Sequence, residues 1–195
     1  ITEVYEENIL SGQGASYTFS SQPDFSSLSG DFDITISVEM DGDSNVENDT
    51  LTQSFSIYSY CEPSMNCSFG DGFVGLVIAD IDNSDSGCSP DGYGIFPDLT
   101  TDLAQGATYP VSVTTGWSSQ YVRAWVDFND DYEFSLDELI IDNAFIASVG
   151  TTEIDAVIPA DANLGLHTMR FKANWNGPVP DDACEVTSYG EVEDY

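Results

Sequence analysis

Residues Tyr121 to Asp142 read YVRAWVDFNDDYEFSLDELIID, and the two flanks of this stretch decide the fold class. In YVRAWV and in ELIID the apolar side chains recur without a 3.6-residue period, the signature of strands and not of helices. Between them Asp127 to Glu138 carries six carboxylates in twelve residues. The segment therefore reads as strand, acidic loop, strand.

Alternation with period two dominates the chain. SYTFS, DFDITISVEM, LTQSFSIYSY, GFVGLVIAD, TYPVSVTT, TEIDAVIP, LHTMRFKANW and GEVEDY all read as strands, separated by clusters of Gly, Asn, Asp, Ser and Pro. No apolar 3.6-residue period persists for three turns. An all-β chain built as an antiparallel β-sandwich, jelly-roll or Ig-like, is expected. A boundary is expected near residues 58–61. Residues 1–58 contain no cysteine and about three strands, a partial Ig-like β-segment that needs strands from elsewhere to bury its second face. Residues 59–195 have enough strands for a complete domain.

The chain has 195 residues, 35 Asp plus Glu against 3 Lys plus Arg, and a formal charge of −32. With 41% hydrophobic residues it can still fill a core. Nucleic acid is not expected as a partner, because no basic patch can neutralise phosphates; membrane insertion is not expected either, for want of a long apolar run. Self-repulsion at this charge means that cations should favour the folded state. The absence of an initiator Met and the ending inside a strand suggest a piece of a longer mature chain.

Cys61, Cys67, Cys88 and Cys184 form an even set without a CxxC pair or a neighbouring His, which points to two disulfides and so to a secreted or cell-surface, extracellular location. Three pairings are open, four free thiols being the alternative. Cys67 with Cys88 and Cys61 with Cys184 is the favoured set, since the second bond ties the ends of one domain together.

Asp127 to Glu138 also fits a twelve-residue calcium loop. Asp127, Asn129 and Asp131 take positions 1, 3 and 5, Glu133 offers its carbonyl at 7, Ser135 stands at 9 and Glu138 at 12. All-oxygen ligands suit Ca²⁺ over zinc or copper. Position 6, where such loops have Gly, is Tyr132, which costs roughly 1 kcal/mol if φ is positive. The competing reading is an acidic hairpin tip. Asp80, Asp82 and Asp85 form a candidate second cation site, while Asp41, Asp43 and Asp49 read as a polar turn.

Arg170 and Lys172 share one strand face, as Glu191 and Glu193 do. An ion pair between Arg170 and one of these glutamates would lock the closing strand. His167 reads as a satisfied strand histidine alternating with Met169 and Phe171. No GxSxG or HExxH motif occurs, and carboxylate pairs mean little in so acidic a chain, so no enzymatic activity is expected. Trp117 and Trp175 sit at turns and are candidates for stacking on sugar rings.

Several motifs in order resemble one family. Tyr60-Cys61, the IDNSDSGCSPDGYG run from Ile81 to Gly94, WVDFNDD from Trp125 to Asp131, ANLGLHTMRF from Ala162 to Phe171, and the terminal Gly190-Glu191-Val192-Glu193-Asp194 are similar to the GEVED domain. GQGASYTF, DFSSLSGDFDI and DGDSNVENDT resemble the later half of an Ig-like, adhesion-type module. The resemblance implies a non-catalytic β-module of large secreted or surface proteins of Bacteroidetes-type bacteria, beside other domains of the same parent chain. Three roles follow as expectations: a calcium-stabilised accessory module for adhesion, spacing or substrate targeting; a subunit of an extracellular fibre that self-assembles by strand complementation; and a carbohydrate-binding module. Glycans and extracellular proteins are the corresponding partners.

Overall fold

The computed structural model describes residues 1–5, 9, 13–25, 28–147 and 149–195. Gly12 of the GQGASYTF pattern and Ser26 and Ser27 of the serine-rich turn lie outside them. Among the described residues the chain's regular structure is strand apart from three short 3-10 turns, and its contacts divide it into two compact units, Ile1–Tyr58 and Ser59–Tyr195.

In the first unit, β1 (Gly30–Ser37) and β2 (Thr50–Ile57) form an antiparallel pair. Phe32 stacks on Phe55, and Phe25 meets Phe55 edge-on. Ile34, Ile36 and Leu51 remain exposed, so this sheet has no second layer among the described residues. SYTFS forms no strand. Its two tyrosine- and phenylalanine-bearing positions instead make an aromatic cluster in which Tyr17 packs edge-on against Tyr5 and Phe19. In the turn around Asp43, that carboxylate accepts the Asn45 N–H, a local Asx turn.

The second unit contains β3 (Gly75–Ile78), β4 (Ile81–Asn83), β5 (Tyr93–Ile95), β6 (Thr108–Thr115), β7 (Gln120–Val126), β8 (Leu139–Ile146), β9 (Gly150–Val157), β10 (Met169–Asn174) and β11 (Gly190–Asp194). One sheet has the order β5-β11-β10-β7-β8 and the other β4-β3-β6-β9. Leu76, Ile78, Val111 and Val113 of the second sheet pack with Val122, Ala124, Phe171 and Ala173 of the first in one buried cluster. This is a two-sheet sandwich. One pairing departs from the antiparallel expectation: β5 runs parallel to β11. A three-residue edge strand entering from a long loop can adopt either direction.

Every residue of β10 and β11 is buried. The inner face meets the other sheet. The outer face is covered by the connection between β10 and β11 and by the acidic loop, where Trp125, Phe134, Val179 and Ala183 form a second cluster flanked by Tyr60. Cys61–Cys184 joins the start of the unit to that covering segment, and Cys67–Cys88 staples two loops 21 residues apart in sequence. Cross-linking of this kind stabilises chiefly by restricting the unfolded chain.

The register sorts the loops into two ends. Val126 faces Met169 and Gln120 faces Ile146, while Thr115 faces Gly150 and Thr108 faces Val157. The acidic loop, the turn at Asp80 and the 158–168 connection therefore lie at one end. The β6–β7 turn, the residues after β10 and those before β11 lie at the other.

Candidate metal centre

The acidic loop leaves β7 at Asp127 and enters β8 after Glu138. Both carboxylates are buried, with Asp127 0% and Glu138 6% exposed, and neither meets a Lys or Arg. Asp127 Oδ1 accepts the Asp131 N–H, and its Oδ2 accepts the Tyr132 N–H (3.0 Å) and the Tyr60 hydroxyl (2.7 Å). Glu138 Oε1 accepts the Phe128 N–H, while its Oε2 accepts the Ser135 N–H and hydroxyl, closing a capping box. Asn129 and Asp131 bind each other and the following N–H groups. The loop is thus folded around its own carboxylates.

Tyr132 adopts φ 68°, the left-handed backbone that a calcium loop needs at its sixth position. The ring offsets that strain by packing on Tyr60, 5.2 Å between centroids. Donor chemistry and backbone twist therefore suit calcium. The side chains do not form a finished cage: among the described residues, no three Asp, Glu, His or Cys side chains converge on a point. Carboxylate oxygens have two lone pairs each, so the N–H bonds leave capacity for an ion held by Asp127, Asn129, Asp131 and Glu138. Glu133 and Ser135 contribute N–H and hydroxyl donors to these bonds.

The candidate second site does not assemble. Asp80 precedes β4, Asp82 lies within it and Asp85 follows it, so the three spread along a hairpin edge; Asp82 accepts the Ser84 N–H.

Beside the loop lies a cleft of about 470 Å³, lined by Leu99, Leu103, Phe128, Leu166, His167 and Tyr195 among others. His167 is not in a strand. It precedes β10, and its ring bonds Asp130 Oδ1 at 3.0 Å and the Asn163 carbonyl at 3.2 Å, joining the acidic loop to the 158–168 connection.

Arg170 corrects the expected ion pair. Its guanidinium grips Asp194, not Glu191 or Glu193, through Nε–Oδ1 and Nη2–Oδ2 contacts of 2.7 Å each. Register is the reason: Arg170 stands opposite Asp194, whereas Glu193 stands opposite Phe171 and Glu191 opposite Ala173. Glu191 and Glu193 thus point with Phe171 into the space between the sheets. Arg170 also donates to the Cys61 carbonyl and lies over the Phe134 ring, 4.5 Å from its centroid. Phe134 belongs to the acidic loop, so this one buried cation ties β10, β11, the disulfide and the loop together.

Each residue of the terminal motif has a distinct physical task. Gly190 has φ 143°, and a Cβ there would meet the Ala173 carbonyl at 2.1 Å. Glu191 accepts the N–H groups of Phe73 and Ser89, clamping the loops joined by Cys67–Cys88. Val192 stands opposite Lys172 and is fully buried under the segment that covers the outer face. Burial pushes the Glu193 carboxyl up to about 7, against the lowering effect of the Tyr195 hydroxyl, which donates to it at 2.6 Å. Asp194 holds Arg170. On the outer face, Lys172 donates to the Ala183 and Glu185 carbonyls, and burial, followed by the Arg170 charge, lowers its ammonium to about 8. Arg123 pairs with Asp142 and Asp181. All three cationic side chains are buried on this face.

Trp117 is 53% exposed in the β6–β7 turn. Trp175 is half-buried after β10 and meets Tyr189 edge-on at 5.6 Å. Sequence reasoning missed Asp194 as the partner of Arg170, and it missed Tyr189 and Phe69, which join the tryptophan end. The signal for these last two was their position next to glycine in stretches without carboxylates.

No helix among the described residues is long and apolar enough to cross a membrane. The two disulfides are compatible with an extracellular location. Comparison with curated proteins finds no match. The family model described as the GEVED domain matches residues 121–195, so the segment from Tyr121 through the closing strand is similar to that domain.

Proposed function

We propose that this chain is a non-catalytic, calcium-stabilised β-module of a larger secreted or cell-surface protein, serving adhesion, spacing or substrate targeting. The observation that carries the reading is the buried carboxylate of Asp127, without a cationic partner, at the head of an all-oxygen loop whose sixth residue already has the left-handed twist. A buried charge is costly unless matched. A divalent ion would match it, as well as part of the surrounding acidic field. Asp127, Asn129, Asp131 and Glu138 would hold the ion; when bound it supplies positive charge that fixes the loop.

Calcium titration with calorimetry and thermal unfolding tests this. Asp127 and Glu138 also hold the loop by hydrogen bonds, so the informative quantity is the calcium-dependent rise in melting temperature, not the melting temperature itself. That rise should vanish in Asp131→Ala, whose side chain is exposed, and in Asp127→Ala/Glu138→Ala. An equal rise in all three proteins, matched by magnesium, would reduce the effect to general screening.

A second reading, strand complementation in a fibre, is supported by the two-stranded first unit with its exposed Ile34, Ile36 and Leu51. Sedimentation that is independent of concentration would remove it.

A further inference from the structure

The end of the sandwich opposite the acidic loop carries four aromatic side chains in neighbouring loops. Phe69 is 65% exposed and packs on Tyr189 at 6.4 Å and 59°. Tyr189 meets Trp175 at 86°. Trp117 joins them through the backbone, since the Gly116 N–H donates to the Gly70 carbonyl, placing the residues beside each glycine together. The rings are tilted against one another, which makes a stepped set of faces and edges in place of one flat apolar patch.

The segments that bear these rings carry no carboxylate. Segments 63–70, 103–126, 143–152, 162–180 and 186–190 contain no Asp or Glu, in a chain that has 35. Of the acids that adjoin the patch, Asp71 and Glu191 are buried, while Asp85 and Asp91 stand exposed in the β4–β5 loop at the same end. Both tryptophans are followed by a non-glycine residue in the left-handed region, Ser118 at φ 48° and Asn176 at φ 67°. Such strain persists where the surrounding structure demands it, commonly at ligand clamps. Here it sets a hydroxyl and an amide beside the rings.

We infer that this end binds a neutral glycan, with pyranose rings laid on Phe69, Trp117 and the Trp175–Tyr189 pair, and their hydroxyl groups met by Ser118 and Asn176. The C–H face of a sugar ring is apolar and its rim polar, which is the chemistry of aromatic faces edged by amide and hydroxyl groups. Charge selects within the class: an overall charge of −32 repels uronate and sulfate polymers, and the patch has no cation to receive them. The inference deepens the targeting role proposed above but does not require calcium.

Affinity electrophoresis of the full chain through gels containing xylan, galactomannan or β-glucan, with alginate as the anionic control, tests it. Saturable retardation by at least one neutral polymer and none by alginate is expected. Binding should weaken tenfold or more in Trp117→Ala and in Phe69→Ala, both at exposed positions, without change in melting temperature. No retardation by any neutral polymer, retardation by alginate, or unchanged binding in both variants would overturn the proposal. Sedimentation run in parallel covers a second copy as occupant: concentration-dependent dimers lost in Trp117→Ala would make the face a protein interface and overturn it too. Repeating the gels in chelator separates the two readings. Glycan binding without any calcium-dependent stabilisation would sink the calcium site alone, and the reverse result would sink the glycan face alone.

Discussion

The two ends of the sandwich share one core but differ in nearly every other respect. At one end Asp80, Asp98, Asp102, Asp130, Asp131, Glu133, Asp137 and Asp161 stand exposed around a cleft, and Asp127 and Glu138 are drawn inward. At the other, the segments around Phe69, Trp117, Trp175 and Tyr189 carry aromatic, amide and hydroxyl groups, and the exposed Asp85 and Asp91 stand apart in the β4–β5 loop. Net charge alone would describe a uniformly acidic particle. Position shows instead that repulsion is concentrated where backbone N–H groups and Arg170 can answer it, and is thinner around the aromatic rings. The difference teaches that composition reports the quantity of charge, while the strand register decides where it matters.

The largest effect should come from removing the counter-charge of the acidic end. Arg170→Met leaves Asp194 buried and unpaired and takes the guanidinium from the Phe134 ring. Denaturant unfolding should show a loss of about 3–5 kcal/mol. An unchanged midpoint would mean that the two ends do not differ in how they are held.

Next in size is a pH effect. The Glu193 carboxyl is raised to about 7 from 4.5, so the folded state binds the proton more tightly than the unfolded one. Its contribution is full below about 4.5 and is lost as pH rises through about 7, roughly 3 kcal/mol in all. Surface repulsion changes in the same direction, so Glu193→Gln isolates the effect. Its stability should fall less steeply across that window, and a parallel curve would refute the assignment.

Calcium should add about 2.7 kcal/mol at a hundredfold excess over its Kd, with magnesium giving less. Hydrogen exchange would sharpen the contrast, since added protection should appear in 127–138 and not in the β6–β7 turn. The smallest effect should be that of Trp117→Ala on stability, within about 0.5 kcal/mol, because the side chain is largely exposed. A larger loss would move Trp117 from the surface of the aromatic end into its packing.

Much of this architecture was legible in the period of the side chains. TYPVSVTT, TEIDAVIP and MRFKAN carry it and form β6, β9 and β10. The strands β4 and β5 were not legible, because three residues among Asp, Ser and Gly carry no period. SYTFS shows the opposite failure: a β-prone composition with no partner strand in its unit among the described residues. In the acidic loop, residue spacing revealed the oxygen ligands and the problem at Tyr132. It could not reveal that Tyr60, 72 positions upstream by number difference from Tyr132, would support the ring. The partner of Arg170 was hidden for a related reason. Asp194 and Glu193 are adjacent carboxylates on opposite faces of one strand, and only the pairing register chooses between them.

The burial of every cationic side chain has a practical consequence for handling the protein. Trypsin requires Arg or Lys at the cleaved bond, and the chain provides only three such residues. Arg123 lies within β7, and Arg170 and Lys172 lie within β10, at the centre of the five-stranded sheet. Local fraying of loops exposes none of these bonds. Tryptic digestion therefore becomes a clock for the opening of the sheet itself: its rate under native conditions reads how often β7 and β10 come apart, with no background from the surface.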